Sequence, residues 1–173
     1  CGASCGGDGS ATFDLDTAGP VEYYSLWFDV LSAQPGLLPA ANATFVQSTL
    51  RAQIDLFRDS FNFGGWQLWN GNNWTPHLTI AAIMWAVAFY HEDPEVAPEV
   101  VRMVNDILWL HRPYYTADGV YTEGVSMYSF MSINGLIETA VVQRLSFGAA
   151  PSAIDVPMLR KVVQWHVSSM GTD

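Results

Sequence analysis

The chain has 173 residues, 50% of them apolar and 13% aromatic, which no disordered segment carries and which supports one domain with a hydrophobic core. Seven basic residues against seventeen acidic ones give a formal charge of −10, which repels nucleic acid and anionic membrane surfaces and argues against both as partners. No apolar run reaches the roughly 18 to 20 residues that a membrane span needs, because the longest, 78–90, is closed by His91-Glu92-Asp93-Pro94.

Residues 1–19, CGASCGGDGSATFDLDTAG, lack periodicity and read as a flexible Gly/Ser-rich tail, with 20–173 as the domain. Cys1 and Cys5 fall in that tail, too close together to staple a core. A chain opening Cys-Gly-Ala-Ser has the look of the mature end of a lipoprotein, so a secreted or cell-surface location is expected, with Cys1 as the anchor point. Asn42-Ala-Thr44 and Asn73-Trp-Thr75 fit the N-glycosylation sequon, a pattern too short to fix a compartment.

Helical periodicity dominates the rest of the chain. Tyr24, Trp27, Phe28 and Leu31 predict a helix over 21–33, stopped by Pro35-Gly36. Phe45, Leu50, Ile54, Phe57 and Phe61 predict a second over 42–61. A polar and aromatic loop, 62–74, holds Trp66, Trp69 and Trp74 among glycines and asparagines. Thr75 as N-cap and Pro76 at the first position predict a helix over 77–90 that is apolar on nearly every side and therefore buried all round. Asp93-Pro94 caps a fourth helix running from Val96 towards His111. A second loop, 112–124, precedes a helix over about 126–145, and a last amphipathic helix covers about 154–167. The fold class is all-α, a stack of antiparallel helical hairpins with no fixed-period repeat.

No nucleotide or metal signature is present: there is no GxGxxG, no Walker loop and no HExxH, and His77, His91, His111 and His166 lack ligand spacing. No cofactor or metal is expected. What remains is two polar loops, each directly before a long helix. In the first, 70–77 (NGNNWTPH), Asn72, Asn73 and His77 crowd a helix N-terminus, whose N–H groups and macrodipole favour a carboxylate and keep a histidine neutral, as a base requires. Turn-making Asn and Gly and a core-anchoring Trp74 account for the same residues structurally. In the second loop, Asp118-Gly119 is a turn, Glu123 stands just before a helix, and Tyr121 and Tyr128 flank it as groups able to move a proton.

The ordered pair of motifs, Asn72-Asn73-Trp74 and Asp118-Gly-Val-Tyr-Thr-Glu-Gly124, with His91-Glu-Asp-Pro-Glu-Val-Ala97 between them, resembles the heparinase II/III-like and alginate-lyase-like polysaccharide lyases over about residues 62–145. The resemblance implies an incomplete (α/α) toroid and β-elimination at a uronic acid. Those lyases need more chain than 173 residues, so only part of a toroid is expected, completed by further chains or domains. Carried over by position, Asn72 and Asn73 neutralise the carboxylate, His77 is the base and Tyr128 the acid. Trp74, Trp69 and Trp66 are sugar platforms or loop support, and Glu123 and Arg112 contact substrate. The family tyrosine commonly falls where this chain has Met127, so Tyr128 takes the role with a one-residue shift and Tyr121 is its rival. An acidic chain also needs a local base, Arg112 or Arg58, beside the groove to admit an anionic polysaccharide. Two other readings fit the same fold: a glycoside hydrolase using Glu123 or Asp118, and a non-catalytic carbohydrate-binding or assembly domain.

Overall fold

The computed structural model describes residues 12–122, 127–148, 154 and 156–169. Among these the regular secondary structure is helical, apart from one isolated antiparallel bridge between Tyr115 and Tyr121.

Helix α1 spans Leu15–Ser32, starting earlier than the periodicity predicts. Asp14 is the reason: its backbone is extended and its Oδ1 accepts the Thr17 N–H at 3.1 Å, which caps the first turn. Phe13 is buried against Phe57, with ring centroids 5.4 Å apart, so 12–19 belong to the domain rather than to a tail. Gly19-Pro20 reads as a break but lies inside the helix. The lost N–H removes one intrahelical bond, and burial of Ala18 and Val21 outweighs it.

Helix α2, Ala40–Asn62, buries the stripe Leu50, Ile54 and Phe57. A single turn, α3, Trp66–Trp69, forms within the predicted loop. Helix α4, Trp74–Ala88, is buried on nearly all sides, as its uniform apolarity predicts; only Trp74, His77, Met84 and Val87 are partly open. Its cap is not Thr75, whose hydroxyl is buried and donates to the Gln67 carbonyl at 3.1 Å; Asn72 takes that role instead. Helix α5, Ala97–His111, starts after Asp93, whose Oδ1 accepts the Val96 N–H at 3.3 Å. A 3₁₀ turn, Arg112–Tyr114, leads to the second loop, then α6, Met127–Phe147, and α7, Val156–Ser169.

Helix α4 is the hub, packed against α1, α5 and α6. Consecutive helices also pair, α1 with α2, α4 with α5 and α6 with α7, so the first members of three pairs lie together around α4. Arg58 bridges α2 to α5 through Glu99 at 2.7 Å, and Arg51 pairs with Asp93. Both pairs are partly solvated and each contributes at most about 1 kcal/mol, so they orient α2 more than they stabilise it. No helix among the described residues is long and apolar enough to cross a membrane.

Candidate active site

The two polar loops, before α4 and before α6, meet. The Tyr121 hydroxyl donates to the Gly71 carbonyl at 3.0 Å across 50 residues of sequence, and Tyr121 is 1% exposed. Gly71 has φ +59, and a Cβ there would fall 1.8 Å from the Tyr114 ring, so only glycine lets that ring lie over the loop. The second loop closes on itself through Thr122 N–H to the Tyr114 carbonyl at 3.0 Å and Thr116 N–H to the Val120 carbonyl at 2.9 Å. Tyr121 is thus a tie between loops, with its hydroxyl engaged by backbone rather than turned to a substrate.

Asn72 Oδ1 accepts the N–H groups of Trp74 at 2.9 Å and Thr75 at 3.3 Å. The N-terminal donors expected to greet a substrate carboxylate are therefore partly taken by this side chain, and its NH₂ is left as the donating end. Asn73 is 8% exposed at the cap position of α4. That burial leaves no room for a glycan at Asn73, whereas Asn42 is exposed in the first turn of α2.

His77 is half-buried one turn into α4, and its Nε2 has no hydrogen-bond partner among the described residues. Burial lowers its pKa, against the pull of Glu138 on α6 in the other direction. Glu22 on α1 is half-buried, and burial first, then the charge of Glu138, raises its pKa. The charge of Glu138 thus acts both on an imidazole of α4 kept neutral by burial and on a carboxyl of α1 biased towards its protonated form, a combination met at acid–base sites. Periodicity passes over Glu22 and Glu138. The signal available was a lone acid in each of two apolar stretches, VEYYSLWF and GLIETAVV.

Deeper in, His111 Nε2 lies 3.2 Å from Ser132 Oγ, which also shares a short hydrogen bond with the Tyr115 hydroxyl. Rings of Tyr114, Tyr115 and Tyr121 surround the imidazole at 5.7 to 5.8 Å. This is not a hydrolytic triad: Ser132 is fully buried, and His111 Nδ1 has no partner, carboxylate or other, among the described residues. Burial pushes the Tyr115 phenol up, against the Ser132 hydrogen bond, so it stays protonated.

Of the tryptophans, Trp66 is 55% exposed and pairs with Trp74 at 5.1 Å, which gives an aromatic face open to a sugar ring. Trp69 packs on Phe61 at 5.2 Å and its Nε1 donates to the Phe61 carbonyl, a structural use. Arg112 stands 5.4 Å over the Trp109 ring. Arg58 is engaged by Asp55 and Glu99 and is not available as the local base. Asp118 is exposed in a turn held against α7 by Gly119. Glu123 and the Tyr128 side chain lie outside the described residues; the Tyr128 backbone is in the first turn of α6, about two turns before Gly135. Gly135 sits directly on Pro76, where a Cβ would be 2.7 Å from that ring, so this stretch of α6 runs against the start of α4. No group of three or more His, Cys, Asp or Glu that could hold a metal occurs among the described residues.

Comparison with family profiles, curated proteins and solved structures finds no match for this chain.

Proposed function

We propose that the chain is part of an (α/α)-toroid polysaccharide lyase that cleaves a uronic-acid polymer by β-elimination. The observation that carries this is the hydrogen bond from Tyr121 to Gly71, which joins the two motifs behind the resemblance at the ends of adjoining helices. The pairing of consecutive helices, with α1, α4 and α6 gathered together, is the arrangement a toroid repeats. Tyr24 and Trp27, exposed on α1, form the kind of apolar face that a further hairpin covers.

In this reading the uronate carboxylate meets the Asn72 carboxamide, which donates to it and stabilises the enolate-like intermediate, the step where electrostatics contributes most, with the largely buried Asn73 behind it. Neutral His77 takes the C5 proton; its Nε2 is buried and without a partner among the described residues, so the imidazole turns out towards the substrate to do so. The electron pair forms the C4–C5 double bond as the C4–O bond breaks, and the Tyr128 hydroxyl gives its proton to the departing oxygen. His77 suits this because desolvation keeps it unprotonated.

The test is a panel of alginate, glucuronan, hyaluronan, chondroitin and heparan, followed by ultraviolet absorbance of the unsaturated uronate. Absorbance is expected with at least one polymer. Tyr128→Phe is expected to lower kcat by about 10²-fold or more with unchanged circular dichroism, the scale of losing a general acid. Full activity in that variant would remove Tyr128 from the mechanism.

A second reading, hydrolysis, draws on Glu22 and Glu138 rather than on Glu123 and Asp118. The pKa of Glu22, raised by burial first and then by the charge of Glu138, is what favours it. New reducing ends without the absorbance would establish that reading in place of elimination.

A further inference from the structure

Helix α1 is apolar on nearly every side, as α4 is, yet only one side of it is covered. A helix of that pattern is normally buried all round. Ala18, Val21, Ser25 and Phe28 turn inward, and at about 100° per residue Tyr23, Leu26, Trp27 and Val30 fall on the opposite arc. These four and Tyr24 are 46% to 63% exposed. Glu22 and Asp29, the two charges between Gly19 and Ser32, lie together on one flank, so the outward arc is uncharged. Beside it a groove of about 350 Å³ opens between α1 and α2, lined among the described residues by Tyr24, Trp27, Phe28, Leu31, Leu38 and Val46.

The open surface has the size of an interface. Leu37 and Phe45, next in the chain to the groove residues Leu38 and Val46, are 61% and 70% exposed. With side chains of about 150 to 250 Å² each, a little over half open, these two and the five of α1 leave about 800 Å² uncovered. That is above the roughly 300 to 600 Å² of the largest apolar patch on a typical monomer, and matches the roughly 800 Å² that each partner gives to a stable complex.

The chemistry of the face selects its occupant. A basic partner would be recognised by acids at the contact, and the outward arc of α1 holds none. A second copy of this chain, of formal charge −10, is repelled least where the meeting surfaces are uncharged. The face also holds its own complement, the ridge of Tyr23 and Val30 alongside the groove, as a contact between identical surfaces requires.

We propose that two copies of the chain associate across a two-fold axis through this face, the α1 ridge of each entering the groove between α1 and α2 of the other. The further hairpin that covers Tyr24 and Trp27 is then α1–α2 of the second copy. The contact is independent of the uronan reading.

Sedimentation velocity and light scattering on the full chain test it. At roughly 10 µM a species of twice the mass of one chain is expected, within the affinity range of interfaces of this size. Trp27→Glu and Tyr23→Glu, both at exposed positions and checked for an intact fold by circular dichroism, are each expected to raise the dissociation constant about 30-fold or more, the scale of an interface hot spot. Leu145→Glu, 81% exposed on α6, is expected to leave the dimer unchanged. Raising the ionic strength from about 10 to about 150 mM is expected to tighten association, because salt screens the repulsion between the copies and not the apolar contact. A monomer at these concentrations, a dimer that survives both α1 variants, or a dimer that weakens with salt would overturn the proposal. The lyase panel on the same samples keeps the two ideas apart: elimination by a monomer removes the dimer alone, and a Trp27-dependent dimer without elimination removes the lyase alone.

Discussion

Burial holds the His111 imidazole neutral by lowering its pKa from 6.5 to about 4. Its position at the end of α5 favours the cation by up to about 2 kcal/mol, and desolvation overrides that. The sign comes from linkage: between the two pKa values the unfolded chain binds a proton at this site and the folded chain does not. Stability is therefore complete above pH 6.5 and falls by about 3 kcal/mol as the pH drops to 4. Denaturation midpoints in urea across this range are expected to show that slope in the wild type, and a much flatter one in His111→Phe, which keeps a ring among the three tyrosines. An unchanged slope would place the acid sensitivity elsewhere. None of this is legible in the sequence, where His111 is only the last residue of an amphipathic helix; its neutrality comes from tyrosines and Ser132 delivered by later segments. Asn72 is similar. As a turn-former before a helix it was readable, but only the geometry identifies its oxygen as the cap and its nitrogen as the donating end.

The loop before α4 depends on one glycine. Gly71→Ala places a methyl inside the Tyr114 ring and forces a non-glycine residue to φ +59. A loss of about 2 kcal/mol or more is expected from overpacking and strain together. Gly64→Ala, at φ +75 with open space around it, isolates the backbone part and is expected to cost about 1 kcal/mol. Chemical denaturation of the two variants checks this; equal losses would mean that Tyr114 moves aside freely. Elements were readable in proportion to how uniformly they are patterned. Helix α4 is apolar throughout, so its burial followed from the residues alone. Helix α1 began earlier than expected because Asp14 caps its first turn and burial of Ala18 and Val21 offsets the Gly-Pro signal inside it, and α3 is too short to show a period.

Charge sets the behaviour of the whole molecule towards an anionic polymer. At 10 mM ionic strength the screening length is about 30 Å, so a polyanion meets the repulsion of the entire chain; at 150 mM it is about 8 Å and local groups decide. Raising the salt over that range is expected to lower KM for a uronan, the reverse of a basic polysaccharide-binding protein, because the added salt screens the repulsion from a chain of formal charge −10. Initial rates at the two ionic strengths test it, and a rising KM would show that attraction dominates already at long range. The sequence by itself determined the all-α class, the buried character of α4 and the two polar loops, because each comes from local periodicity, capping and turn chemistry. Only the tertiary structure decided that Tyr121 reaches Gly71, that the charge of Glu138 acts on both His77 and Glu22, and that Arg112 and Lys161 line one cleft. Those pairings join residues distant along the chain, and their energies depend on burial and separation, which arise only when the helices pack.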